Sequence, residues 1–136
     1  MTNGKKNTGS VVTFGEVLMR LSPPENRKLV QADNMDFYFG GTEMNVAASL
    51  SNFGLSTRHV TNVSNDLVGD AAVAAMRKYG IDVAAVNRVD HPLGIYFLEV
   101  GASLRPSRIA YNRLHGAFAN IAPEEVNWDQ ILEGCT

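Results

Sequence analysis

From Val11 the chain reads VVTFGEVLMRL, a β-prone run that predicts a first strand interrupted at Gly15 and Glu16. Pro23 and Pro24 end it, and a polar stretch leads to the short aromatic run Phe37-Tyr38-Phe39, suited to a strand over a pocket. Gly40-Gly41 then opens TEMNVAASLSNF, whose apolar residues Val46, Leu50 and Phe53 recur at helical spacing, with Gly54 where a helix stops. Arg58 to Val63 predicts another strand. It is followed by a helix with the apolar face Ala72, Ala75, Met76 and Tyr79, Asp70 as the expected cap, Arg77 and Lys78 at the negative end and Gly80 as the stop. Two successive strand-helix units predict a right-handed parallel arrangement with helices covering the sheet.

The pattern changes at residues 94–100 (GIYFLEV) and 107–113 (SRIAYNR), two strand-like runs joined by GASLRP that predict an antiparallel hairpin. Ala122-Pro123-Glu124-Glu125 has the proline and acids of a helix's first turn, leading to Val126, Ile131 and Leu132, with a stop near Gly134. An alternating α/β chain would next enter another strand, and none follows. Residues 1–10, MTNGKKNTGS, have the polar composition of a disordered leader.

Composition narrows the function classes. The 136 residues, 45% hydrophobic and 19% charged, are enough for one globular domain with a sizeable core. A formal charge of -2 with scattered Lys and Arg offers no broad positive face, which argues against a nucleic-acid partner. No run approaches the roughly 18 apolar residues of a membrane span, and the lysine-bearing start lacks a signal-peptide layout. Cys135 is the single cysteine, so no intrachain disulfide forms and a reducing, cytoplasmic setting is expected. His59, His91 and His115 lack metal-ligand spacing, and neither a Gly-x-Ser-x-Gly elbow nor a Walker-type phosphate loop occurs.

Three places carry candidate chemistry. Glu16, inside an apolar run, stands either where the strand reaches solvent or where it faces a site. The glycines at the entrance of the first helix let a ligand approach free N–H groups, and Asn45 one turn in offers both donor and acceptor; the alternative is an ordinary helix start with a solvent-facing Asn. Alternation places Ile109, Tyr111 and Arg113 on one face of a hairpin strand and Tyr96, Leu98 and Val100 on one face of its partner. Two phenols and a guanidinium then converge, the latter suited to a carboxylate, unless the hairpin is simply an exposed one with routine surface residues.

The stretch GGTEMNVAASLSNFGLSTRHVTNVSNDLVGD, from Gly40 through Asp70, resembles the N-terminal signature of the ribokinase-like carbohydrate kinases. It has paired glycines, an Asn four places after the second, a small-residue helix, then Gly54, Asp66 and Gly69. TFGEVLMRLSP before it and GIYFLEV with RIAYNRLHGAF after it are similar to the 2-keto-3-deoxygluconate kinases, and the likeness runs from Val11 to Gly134.

The resemblance implies an α/β, ribokinase-like fold, with a parallel central sheet flanked by helices, a small β lid around residues 94–113 and the C-terminal half absent. It implies sugar binding by Gly41 and Asn45, with Glu16 at an acidic position that faces the sugar, where ribokinase itself has Asp. Tyr96, Tyr111 and Arg113 match lid positions that hold the substrate, Arg113 opposite its carboxylate. It further implies a small sugar acid as ligand, a homodimer through the lid, and ATP with Mg2+ as cofactors of the complete enzyme. No catalytic residue is expected in this chain, because the family's base is an Asp in a Gly-Ala-Gly-Asp-type segment, which this sequence lacks. A neutral-sugar kinase and a non-catalytic sugar-binding module are the competing readings; a dinucleotide-binding oxidoreductase fails because G-x-G-x-x-G spacing is missing.

Overall fold

The computed structural model describes residues 9–135, so most of the expected leader lies outside the described residues; Ser10 already bridges Cys135. The elements are β1 (Val11–Phe14), β2 (Leu18–Ser22), β3 (Asp36–Gly40), α1 (Thr42–Asn52), β4 (Thr57–Ser64), α2 (Leu67–Lys78), β5 (Val86–Val89), β6 (Gly94–Glu99), β7 (Arg108–Asn112) and α3 (Trp128–Leu132), with short 3-10 turns between some of them. They form two sheets. One is parallel, in the order β1-β4-β5, and the other is mixed, in the order β3-β2-β6-β7.

The run from Val11 is two strands, not one, and each belongs to a different sheet. Gly15-Glu16-Val17 carries the chain across, and Val17, 1% exposed, anchors the crossing in the core. The interruption expected at Gly15 and Glu16 is there, but local pattern does not say that the chain changes sheets at it. Glycine at 41 is a packing requirement here: a Cβ would overlap the carbonyl oxygen of Glu16, so only a bare α-carbon lets α1 start against the crossing.

Helix α1 turns a different face inward from the one its spacing predicts. Met44 and Ala47 are buried, while Val46 and Phe53 are 48% and 84% exposed. Close docking on β1 and β4 demands a small residue at the contact, and Ala47 supplies it. Helix α2 starts earlier than expected, because Asp66 rather than Asp70 caps it, accepting from Val68 N and Gly69 N at 3.0 Å. Asp70 instead receives a 2.8 Å bond from Arg88. Gly54 and Gly80, with φ of 86° and 76°, end the two helices as their sequence positions suggest.

Between α1, α2 and β4 lies the core, with Met44, Val63, Ala72 and Met76 at its centre. Strand β5 escapes sequence reading, since Val-Asn-Arg-Val is half polar and becomes a strand only by pairing Thr61 with Val86. The expected continuous C-terminal helix divides into a 3-10 turn at Pro123–Glu125 and α3, which Asn127 caps by accepting from Gln130 N at 3.2 Å. Between them Val126 takes an extended backbone and is buried at 7% exposure. No helix among the described residues is long and apolar enough to cross a membrane.

Candidate functional site

The mixed sheet stands over the end of β1 and the start of α1, and between them opens a cleft of about 680 Å³. Glu16, Gly41, Asn45, Tyr96, Tyr111 and Arg113 all line it. Residues 97 positions apart in sequence thus share one cavity, because three different elements end there.

Register explains the side of the cleft formed by the mixed sheet. Tyr96 lies directly opposite Tyr111, and the alternation of β6 and β7 puts Gly94, Ile109 and Arg113 on the same face. The two phenol rings are 5.7 Å apart, and the Arg113 guanidinium sits 5.0 Å from the Tyr111 ring. The same cross-strand row continues through Arg20 to Tyr38, whose ring lies 4.5 Å beneath the Arg20 guanidinium. Sequence reasoning omits Arg20, because two apolar neighbours on β2 hide its alternation.

On the opposite wall, Glu16 forms an ion pair with Arg113 at 3.3 Å. Glu16 therefore faces the cleft rather than bulk solvent, its side chain 14% exposed against 49% for Arg113. Burial raises the Glu16 carboxyl above its ordinary value, and the Arg113 charge pulls it back. Gly94 makes this contact possible: a Cβ there would lie 2.5 Å from Glu16 Oε1 and 3.1 Å from the Arg113 Cβ. The only sequence signal for Gly94 is a glycine inside a strand, which marks a close approach.

Glu43, in the first turn of α1, is a second pocket carboxyl that sequence reading does not single out. Its side chain rests on the bare α-carbon of Gly15, which a Cβ would block. Behind it His59 is fully buried, hydrogen-bonded through Nδ1 to Thr13 Oγ1 at 2.7 Å. Burial holds the imidazole down to about 4, against the opposing pull of Glu43, so it is neutral at physiological pH. Asn45 projects from the first turn of α1 into the cleft, and Phe14 closes the mouth with Phe118 and Trp128 at ring distances of 5.3 and 5.2 Å.

The cavity thus offers two carboxyls, one guanidinium, two phenols and a carboxamide around a partly apolar floor. Such a set hydrogen-bonds a small polyhydroxylated molecule. It contains no nucleophile paired with a base.

Comparison with known proteins agrees with this chemistry. Residues 8–134 match the model of the pfkB family carbohydrate kinases. A 2-dehydro-3-deoxygalactonokinase of Haloferax volcanii is 31% identical over 124 residues, covering 91% of this chain and 39% of that protein. A 5-dehydro-2-deoxygluconokinase of Clostridium tetani is 30% identical over 130 residues, covering 93% of this chain and 38% of that protein. The crystal structure of a 2-dehydro-3-deoxygluconokinase from Thermotoga maritima superposes with a TM-score of 0.91 at 44% identity, covering 93% of this chain and 39% of that one. The chain therefore spans well under half the length of these relatives.

Proposed function

Because the chain belongs to the pfkB family of carbohydrate kinases, we propose that it is the sugar-binding part of a kinase for a keto-deoxy sugar acid, of the 2-keto-3-deoxygluconate type. The observation that carries this reading is the half-exposed Arg113 guanidinium facing the same cleft as Asn45, Tyr96 and Tyr111. A planar cation with free donors recognises a carboxylate by two parallel hydrogen bonds, while phenols and a carboxamide take up hydroxyls. Names of similar proteins point the same way, since the three compared above are all named as kinases of dehydro-deoxy sugars or sugar acids.

In the complete protein the reaction is transfer of the γ-phosphoryl of ATP to a sugar hydroxyl. The part of it that this chain performs is positioning: Arg113 fixes the acid end, and the entrance of α1 with Asn45 holds the hydroxylated end, so that one hydroxyl is presented at a set place. Among the described residues no group of three or more His, Cys, Asp or Glu fits a metal ion, and the sequence has no Gly-Ala-Gly-Asp segment. The residues present do not fit a Mg-nucleotide site. The purified chain is accordingly expected to bind sugar without turning over ATP.

Calorimetric titration with 2-keto-3-deoxygluconate and with fructose tests the substrate class. Arg113→Ala should weaken binding of the acid by about tenfold or more, the scale of one charge-assisted pair, and leave fructose nearly unchanged. Equal losses would remove the case for an acid.

The back of the lid sheet supports a homodimer. Phe37, Leu21, Phe97 and Ala110 form a cross-strand row on the face opposite Tyr96, and Phe37 is 59% exposed. Sedimentation of the chain and of Phe37→Asp should show a dimer that the charge dissociates; a monomeric parent chain would refute this assembly.

A further inference from the structure

We propose that Glu16 is a specificity-determining residue: it pairs with the Arg113 guanidinium, and a sugar acid that reaches the same cation binds together with one proton. This inference rests on the carboxylate reading above and adds to it the state of the group already in contact with the cation.

The geometry leaves Glu16 little room to withdraw. Its carboxyl lies against the bare backbone of Gly94, where a Cβ would be 2.5 Å from Oε1 and 2.6 Å from Leu18 Cδ2. Its main chain is pinned from the other side, because its carbonyl oxygen occupies the space a Gly41 side chain would need. Arg113 is the more exposed partner, half exposed and stacked on Tyr111 rather than enclosed. A ligand carboxylate reaching Arg113 therefore meets Glu16 still in place.

The charges then do not balance. Facing Glu16 are Arg113 beyond β7, Glu43 from α1, and the phenols Tyr96 and Tyr111 from β6 and β7. His59, behind Glu43, is neutral near pH 7. With an acid bound, three carboxylates share one guanidinium in a partly enclosed cavity. Like charges held close in low dielectric favour the neutral form of one of them, and Glu16 is already displaced in that direction by burial. A proton taken from solvent onto Glu16 relieves the excess and turns an acceptor into a donor, able to bond the incoming carboxylate or a sugar hydroxyl. No bond other than this O–H forms or breaks.

Linkage sets the sign. Glu16 has a higher proton affinity in the complex than in the free chain, so binding of the acid weakens as pH rises from the free value toward the bound one. The fall is at most about tenfold per pH unit and levels off above the bound value. A neutral sugar leaves the Glu16–Arg113 pair intact and binds without this dependence.

The test is titration calorimetry of the 136-residue chain with 2-keto-3-deoxygluconate, in pairs of buffers of different ionisation enthalpy, upward in pH from about 4, the ordinary carboxyl range, to about 8. Expected are proton uptake approaching one per acid bound inside the linkage window, none for fructose, and for Glu16→Gln a pH-independent affinity at least equal to the parent's at neutral pH. Acid binding with no proton uptake and no pH dependence overturns this inference and leaves the carboxylate reading standing. Uptake that persists in Glu16→Gln assigns the proton elsewhere and overturns it too. Failure of the acid to bind at any pH overturns both. Absence of proton uptake by the parent chain overturns the inference even if the variant does not fold.

Discussion

Strands β4 and β7 invert what their compositions suggest. Of the six polar residues among the eight of β4, Thr57, His59, Thr61, Asn62 and Ser64 are buried and only Arg58 is half-buried, while Ile109 and Tyr111 of β7 are 53% and 60% exposed. Strand β4 is the middle of the parallel sheet, paired on both edges and packed against α1 and α2; β7 is the outer edge of a ribbon. Burial is decided by place in the sheet and not by the residue's own preference. Polar groups inside the first region need partners, and Asn62 and His59 Nε2 have none among the described residues, which stores a cost there. Apolar and aromatic surface left open in the second lines the cleft.

The interior strand's surroundings and the edge strand should therefore respond differently to truncation. Met76→Ala removes a fully buried side chain and should lower stability in urea by about 2–4 kcal/mol. Tyr111→Ala, at an exposed site, should cost under about 1 kcal/mol yet weaken sugar-acid binding. Similar stability losses for both would dissolve the distinction.

The next largest effect is that of pH on the buried polar strand. His59 gains a proton near 6.5 when unfolded but only near about 4 when folded, so the unfolded chain binds more protons between those values. Stability is then flat above that window and falls by about 3 kcal/mol as pH drops through it. Denaturation midpoints of the parent chain and His59→Gln should diverge in slope between pH 6.5 and about 4; parallel curves would show that His59 is not the group responsible.

Two smaller tests sharpen the boundary. Gly94→Ala pushes a methyl into the Glu16–Arg113 contact and should reduce sugar-acid affinity by about tenfold; an unchanged affinity would mean the contact has slack. Asp66→Ala should lower the thermal midpoint more than Asp70→Ala, because only Asp66 accepts from the free N–H groups of α2. The reverse order would move the cap back to the position its sequence spacing suggests.

Much of the candidate site was legible because its parts sit on punctuation. The glycine pair before α1, the alternation of Tyr111 with Arg113, and the lone acid in an apolar run each stand out from their surroundings. Glu43 and Gly94 did not, since an acid in a first helical turn and a glycine opening a strand have ordinary explanations. Arg20 is hidden between apolar neighbours, and the interruption at Gly15 and Glu16 does not say that the chain changes sheets there. The inward face of α1 was misjudged because spacing ranks Val46 and Phe53 above Ala47 by size, whereas close packing prefers the small residue.

By itself, the order of residues determined both long helices and most of the strands, the helix stops at Gly54 and Gly80, and the family signature, because these depend on local backbone preference and on short motifs. Only the folded chain decided which strand became the interior one, which side of α1 faced inward, and that Glu16 meets Arg113. Those outcomes depend on contacts between segments distant along the chain, and local preference carries no information about which distant surface a segment will meet.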